Sequence, residues 1–221
     1  MKLNKIVLLE EAVLFCKNEE KINHTSLIGV TDGKAVGTYV EHRFQEYLKS
    51  KYDLTIGSSA KGIDLPDEEI NTDIKVTSIR QPQSSCPFRN ARQKIYGLGY
   101  NLLVLVYDKR DTIDTCNLEF KYCTFIEEHR TADFTTTKRI IELVDDGGNE
   151  EDILAFLIDK NVPGDEIVLS DLANEILTTP PQQGYLTISN ALQWRLQYSR
   201  VITLSNSVEG VVNFEKSDTS R

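Results

Sequence analysis

The run NLLVLVYD, residues 101–108, constrains this chain more than any other stretch: Leu102 to Tyr107 are apolar without alternation. An alternating strand can leave one face to water, whereas a strand apolar throughout needs cover on both. The run therefore predicts a central strand in a sheet flanked by helices, an α/β fold. It is far too short to cross a membrane.

The neighbouring segments supply the rest of such a fold. Residues 5–17 read as a helix rather than a signal peptide, because Glu10 and Glu11 interrupt the apolar stretch and no small-residue cleavage site comes after it. GKAVGTYVEHRFQEYLKSKY (33–52) is a stronger helix, with Gly37, Glu41, Phe44 and Leu48 on one stripe. Ile63–Pro66 and Thr72–Ile79 read as two antiparallel strands joined by DEEIN. A polar loop, a helix at 90–100 ended by glycine, a strand at 118–126 and a helix at 135–146 complete this half.

DDGGNEED (145–152) has the composition of a linker, with Asn149 suited to cap the next helix. The expected division is an N-terminal domain over 1–146, carrying the chemistry, and a C-terminal domain over 147–221 that either binds DNA or holds a dimer together. The second reads as mostly helical: 150–160, 169–179 capped by Ser170, and 187–199 capped by Thr187, then a β-hairpin at 201–216. Three helices and then a hairpin is the order of a winged helix-turn-helix, with 187–199 as the groove helix.

The cysteines, Cys16, Cys86, Cys116 and Cys123, show no paired spacing and read as reduced thiols in the cytoplasm. A net charge of −9 at first argues against a polyanion partner. Its distribution reverses that. Ile74 to Tyr107 contains no acid, yet holds Lys75, Arg80, Arg89, Arg92 and Lys94; Ile176 to Val208 is also acid-free and holds Arg195 and Arg200.

The chemistry sits in GIDLPDEEINTDIKVTS (62–78). Residues two apart on a strand share a face, so Asp73 and Lys75 project together while Ile74 and Val76 turn to the core. The preceding strand brings Asp64 alongside. Two carboxylates a few ångströms apart repel, and a divalent cation such as Mg²⁺ resolves the conflict while binding substrate phosphate. There it would acidify a water, and Lys75 would orient that water and neutralise charge on phosphorus.

GIDLPD…NTDIKVTS resembles the core motif of the PD-(D/E)xK nuclease superfamily, in particular type II restriction endonucleases. The resemblance covers roughly residues 30–125. It implies a restriction-endonuclease-like mixed sheet, Mg²⁺, and hydrolysis of phosphodiester bonds in a specific duplex DNA sequence to 5′-phosphate and 3′-hydroxyl ends. Asp73 and Lys75 match two motif positions directly. The first acid carries over to Asp64, at the short end of the usual spacing, with Asp67 second because it stands too near Asp73. A glutamate from the preceding helix, binding the metal or a metal-bound water, is implied as well; Glu41, on the stripe, is preferred to Glu46, on the wet face. A palindromic target would require a homodimer.

For DNA contacts, the acid-free loop offers Arg80, Gln81, Gln83, Ser84, Ser85, Arg89, Arg92 and Lys94. The C-terminal helix would add Asn190, Gln193, Arg195, Gln197 and Arg200, with Trp194 and Leu196 packed inward. Rival readings at this level are a structure-specific repair nuclease, a non-catalytic DNA-binding regulator and a protein–protein module.

Overall fold

The computed structural model describes residues 3–57, 62–86, 90–189 and 194–215. The chain forms two compact units, residues 1–82 with 100–126 and 202–221, and residues 83–99 with 127–201.

The first unit is built on helices α1 (Lys5–Glu19) and α2 (Gly33–Lys49) and strands β1 (Thr72–Ser78), β3 (Asn101–Asp111), β4 (Cys116–Ile126) and β7 (Val211–Glu215). The sheet order is β1-β3-β4-β7. β1 runs parallel to β3, and the remaining pairs are antiparallel, so the sheet is mixed. Asn4 and Asp32 cap the two helices by accepting from Val7 N and Lys34 N. Phe15, Val40, Phe44 and Leu48 from the helices share one core with Ile74, Leu103, Leu105 and Phe125 from the sheet. Leu102, Val104 and Val106, on the opposite side of β3, are equally inaccessible. Both faces of the apolar strand are covered, as its sequence requires.

The expected hairpin before β1 is reduced to one bridge. Leu65 and Thr72 exchange both backbone hydrogen bonds at 2.9 Å, and Asn71 takes a positive φ of 30° to close the turn. The expected hairpin at 201–216 does not form. Val201–Thr203 is a short 3₁₀ turn, and β7 lies along β4 as an edge strand of the central sheet. Buried Asn213 secures it, accepting from Thr124 Oγ1 at 2.5 Å and donating to Leu204 O at 2.8 Å.

The second unit holds α3 (Arg92–Tyr96), α4 (Phe134–Asp145), α5 (Glu150–Asp159) and α6 (Glu166–Thr178), with β2 (Gln83–Cys86), β5 (Thr187–Ile188) and β6 (Trp194–Gln197). Ile95, Ile140, Ile153, Leu157, Leu172 and Ile176 join its helices in one core. Asn149 forms a capping box with Asp152 at the start of α5. The cap of α6 is Asp165; Ser170 lies inside that helix and donates to Glu150 instead.

The predicted helix at 187–199 is the main correction. Within it Thr187–Ile188 and Trp194–Gln197 are strands of an antiparallel sheet of order β2-β6-β5, none of its described residues is helical, and the winged-helix reading falls with it. The reason is a period of two: Trp194, Leu196 and Tyr198 are buried, while Arg195 and Gln197 are exposed. No described helix is long and apolar enough to cross a membrane.

Candidate active site

β1 is the edge strand of the mixed sheet, and its two faces have opposite duties. Ile74 enters the core at 0% exposure. Asp73 and Lys75 point the other way and pair, Lys75 Nζ lying 2.7 Å from Asp73 Oδ2. Asp64, beside the Leu65–Thr72 bridge, is fixed through both oxygens. Oδ2 accepts from Ile74 N at 2.8 Å and Oδ1 from Gln45 Nε2 at 3.1 Å. Its carboxyl acts electrostatically on both Glu41 and Asp73.

Glu41 reaches the group because α2 presses on β1. A Cβ on Gly37 would meet Val76 O at 2.9 Å, so only glycine allows that approach, and Glu41 comes one turn later. Gln45 is a further turn on. Glu46, by contrast, is exposed. Asp67 lines a separate acidic cleft with Asp53, Glu68 and Glu69.

Glu41, Asp73 and Lys75, crowded at this edge, are each shifted from their usual values. Burial first, then the Asp64 carboxyl, raises Glu41 to about 7, against an opposing pull from Lys75. Burial likewise raises Asp73 to about 7; Lys75 opposes this and Asp64 adds to it. Burial would lower Lys75, but the Asp73 charge, with Asp64 and Glu41 behind it, holds the amine above its usual range. Among the described residues no three or more His, Cys, Asp and Glu side chains are arranged as a metal cage. The crowded pair of Asp64 and Asp73 offers hard oxygen donors of the kind Mg²⁺ uses, since Mg²⁺ is commonly held by one or two carboxylates, waters and phosphate. The residues fit that ion.

The expected DNA-contact residues divide sharply. Arg80 and Gln81 are exposed in the turn after β1. The stretch expected to be a loop contains β2, which pairs with β6 so that Gln83 faces Gln197 and Ser85 faces Arg195. Two segments more than a hundred residues apart thus meet on one sheet face. Ser84 belongs to the opposite face, with its hydroxyl 2.5 Å from Tyr198 OH. Arg92 is paired with Glu175 of α6 at 2.8 Å, and the Arg200 guanidinium stacks 3.9 Å from the Phe134 ring centroid. Lys94 is 4% exposed, and burial lowers its pKa against the opposing charge of Asp133. Arg89, Asn190 and Gln193 lie outside the described residues.

Sequence reasoning missed Gln45, whose signal was its place four residues after Glu41 on the same helix face. It also missed Asp133, which caps α4 through Thr136 N at 2.9 Å and reaches Ile188 N at 2.8 Å. No local pattern marks that second bond.

Comparison with known proteins adds family information to this geometry. Residues 2–213 match the family model described as type II restriction enzyme NspV. The chain is 52% identical over 204 residues to the type II restriction enzyme NspV of a Nostoc species, covering 91% of this chain and 92% of that protein. No solved structure matches.

Proposed function

The chain belongs to the type II restriction enzyme NspV family, and from that premise we propose that Asp64, Asp73, Lys75 and Glu41 are its cutting centre, in a PD-(D/E)xK core. The observation that carries this reading is their convergence at the edge of β1. As a restriction endonuclease the protein acts on specific double-stranded DNA.

In this reading Asp64 and Asp73 would hold Mg²⁺. Bound there, the ion would supply a Lewis acid for the scissile phosphate and lower the pKa of water. Lys75 Nζ, charged and anchored by Asp73, donates toward the attacking water and the phosphate oxygens, where negative charge grows. Glu41 would bind the ion or one of its waters and take up the proton that the attacking water gives up. The water oxygen bonds to phosphorus, the bond from phosphorus to O3′ breaks, the departing O3′ takes a proton from solvent water, and the products end in 5′-phosphate and 3′-hydroxyl. Gln45 and the Ile74 N–H fix Asp64 in one orientation, which lowers the cost of assembling the centre. DNA contacts come from Arg80, Gln81 and the exposed face of the β2-β6-β5 sheet. A homodimer would place two centres on the two strands of a palindrome. The expected compartment is the cytoplasm, where the host's own DNA and invading DNA meet.

The test is a plasmid and phage-DNA digest with Mg²⁺ or with EDTA, run beside Lys75→Ala and Asp73→Ala. Discrete, Mg²⁺-dependent fragments that disappear in both variants support the reading. Fragments that persist in either variant would overturn the site assignment.

A further inference from the structure

In the second unit, β6 is the middle strand of its sheet, and the register decides which side chains share a face. Gln83 opposes Gln197, Ser85 opposes Arg195, and Thr187 of β5 opposes Gln197 from the other side. Directly opposed residues of an antiparallel pair point the same way. One face of this sheet therefore carries Gln83, Ser85, Thr187, Arg195 and Gln197. The other carries Cys86, Ile188, Trp194 and Leu196, which are buried.

The outer face has an unusual composition for this chain. The protein has 34 acids among its 221 residues, yet all three strands are free of them. What remains is amide, hydroxyl and guanidinium. The Arg195 guanidinium is also oriented, since Nη1 donates to Ser85 Oγ at 3.1 Å. Its backbone is fixed from the β5 side: Arg195 N donates to Ser189 Oγ at 3.1 Å and Arg195 O accepts from Ser189 N at 3.1 Å. A solvated surface arginine has no need of such anchoring, and a phosphate contact tolerates a mobile one.

We propose that this face reads base edges in the DNA major groove, Arg195 taking a guanine and the Gln83–Gln197 pair an adenine, with Ser85 as a positioning residue for Arg195. The proposal rests on the reading of the chain as a site-specific DNA endonuclease and deepens it. A major groove about 12 Å wide admits a two-stranded β-ribbon. Arginine binds the O6 and N7 of guanine bidentately, and glutamine the N6 and N7 of adenine. Opposed positions on neighbouring strands set such readers side by side on a rigid element rather than on a loop.

The experiment starts from the wild-type enzyme and the cut site mapped by sequencing fragment ends. kcat/KM is measured on that duplex and on duplexes with each base pair replaced in turn. If the wild type cuts no duplex, the underlying reading fails and takes this proposal with it. Given wild-type cutting, Arg195→Lys keeps the charge and loses the planar fork. It should reduce kcat/KM on the mapped site about 5- to 150-fold and abolish discrimination at one G·C pair. Gln197→Ala should do the same at one A·T pair. Ser85→Ala should give a smaller loss confined to the Arg195 position, absent when Arg195 is already lysine. An equal loss on every duplex would mark a phosphate contact and overturn the proposal, as would no loss at all. Matching thermal melts of the variants keep folding out of the comparison.

Discussion

The main-chain oxygen of Val76 lies 2.9 Å from the point that a Cβ on Gly37 would occupy. Helix and strand thus meet backbone to backbone, and the meeting point is one helical turn from Glu41. Gly37→Ala puts a methyl group against a strand carbonyl that cannot yield, so α2 must retreat. Overpacking of this kind costs about 1–3 kcal/mol. Because Glu41 and Gln45 retreat with the helix, cleavage should fall by about 10- to 100-fold. Melting temperature and single-turnover cleavage measured together check this. A stable, fully active Gly37→Ala enzyme would contradict it.

Lys75→Ala removes the ammonium paired with Asp73 and should lower kcat by about 10²–10³-fold or more. KM for the DNA should change far less, since a single amine is a small part of the contact a protein makes with duplex phosphates. Steady-state kinetics on a short duplex separate the two effects.

If Asp64 and Asp73 hold a divalent cation, Mg²⁺ stabilises the folded protein by mass action. At about a hundred times its Kd the gain is about 2.7 kcal/mol, a rise in melting temperature of about 5–10 °C for a chain of this size. Asp64→Ala should abolish that rise while leaving a folded protein in EDTA. A wild-type melting point indifferent to Mg²⁺ would remove the metal from these carboxylates.

In EDTA the raised carboxyls should impose a pH dependence of the opposite sign to a usual acid. Asp73 is held at about 7, above its unfolded value of 3.8. The folded state therefore binds more protons than the unfolded state between those values, and stability from this group is present at low pH and lost as pH rises through about 7. His24 contributes the reverse. Its burial lowers its pKa, so its share is lost as pH falls below the unfolded value. The difference between wild type and Asp73→Asn cancels the histidine. We expect Asp73→Asn to gain on the wild type steadily from about pH 5 to about pH 7 and then level off, by about 5–10 °C in melting temperature. A constant offset across that range would show that Asp73 titrates normally.

Asp133 is buried and joins α4 to β5 through both carboxylate oxygens. Asp133→Ala removes a helix cap and leaves the Ile188 N–H without that partner, at a combined cost of about 2–4 kcal/mol. Trp194 is the single tryptophan and is 1% exposed in the same unit, so its fluorescence reports urea unfolding directly. The midpoint should fall with little change in slope.

Much of this was legible because it depends on near neighbours in the chain. The unbroken run at 102–107 required a strand covered on both sides. The D-x-K spacing put Asp73 and Lys75 on one face, and the stripe through Gly37, Phe44 and Leu48 turned Glu41 toward the sheet. These are consequences of periods of 2 and 3.6, which tertiary contacts rarely alter.

The C-terminal third obeys no such local rule. TISNALQWRLQYS carries good helix formers, and its true period of two spans only Trp194 to Tyr198. Strand pairing with β2 decided the outcome, because a four-residue strand is stable only when a partner supplies its hydrogen bonds. That partner lies more than a hundred residues away. The same holds for β7, whose place beside β4 depends on Asn213 and Thr124 meeting across the sheet. The sequence by itself determined that Asp73 and Lys75 would share one face of a strand and that Glu41 would turn toward the sheet. Only the tertiary structure decided that Gln45 would fix Asp64, that Lys94 would be buried, and that Ser85 would meet Arg195. Those outcomes rest on hydrogen bonds and burial between distant segments, which leave no period in the chain to be read.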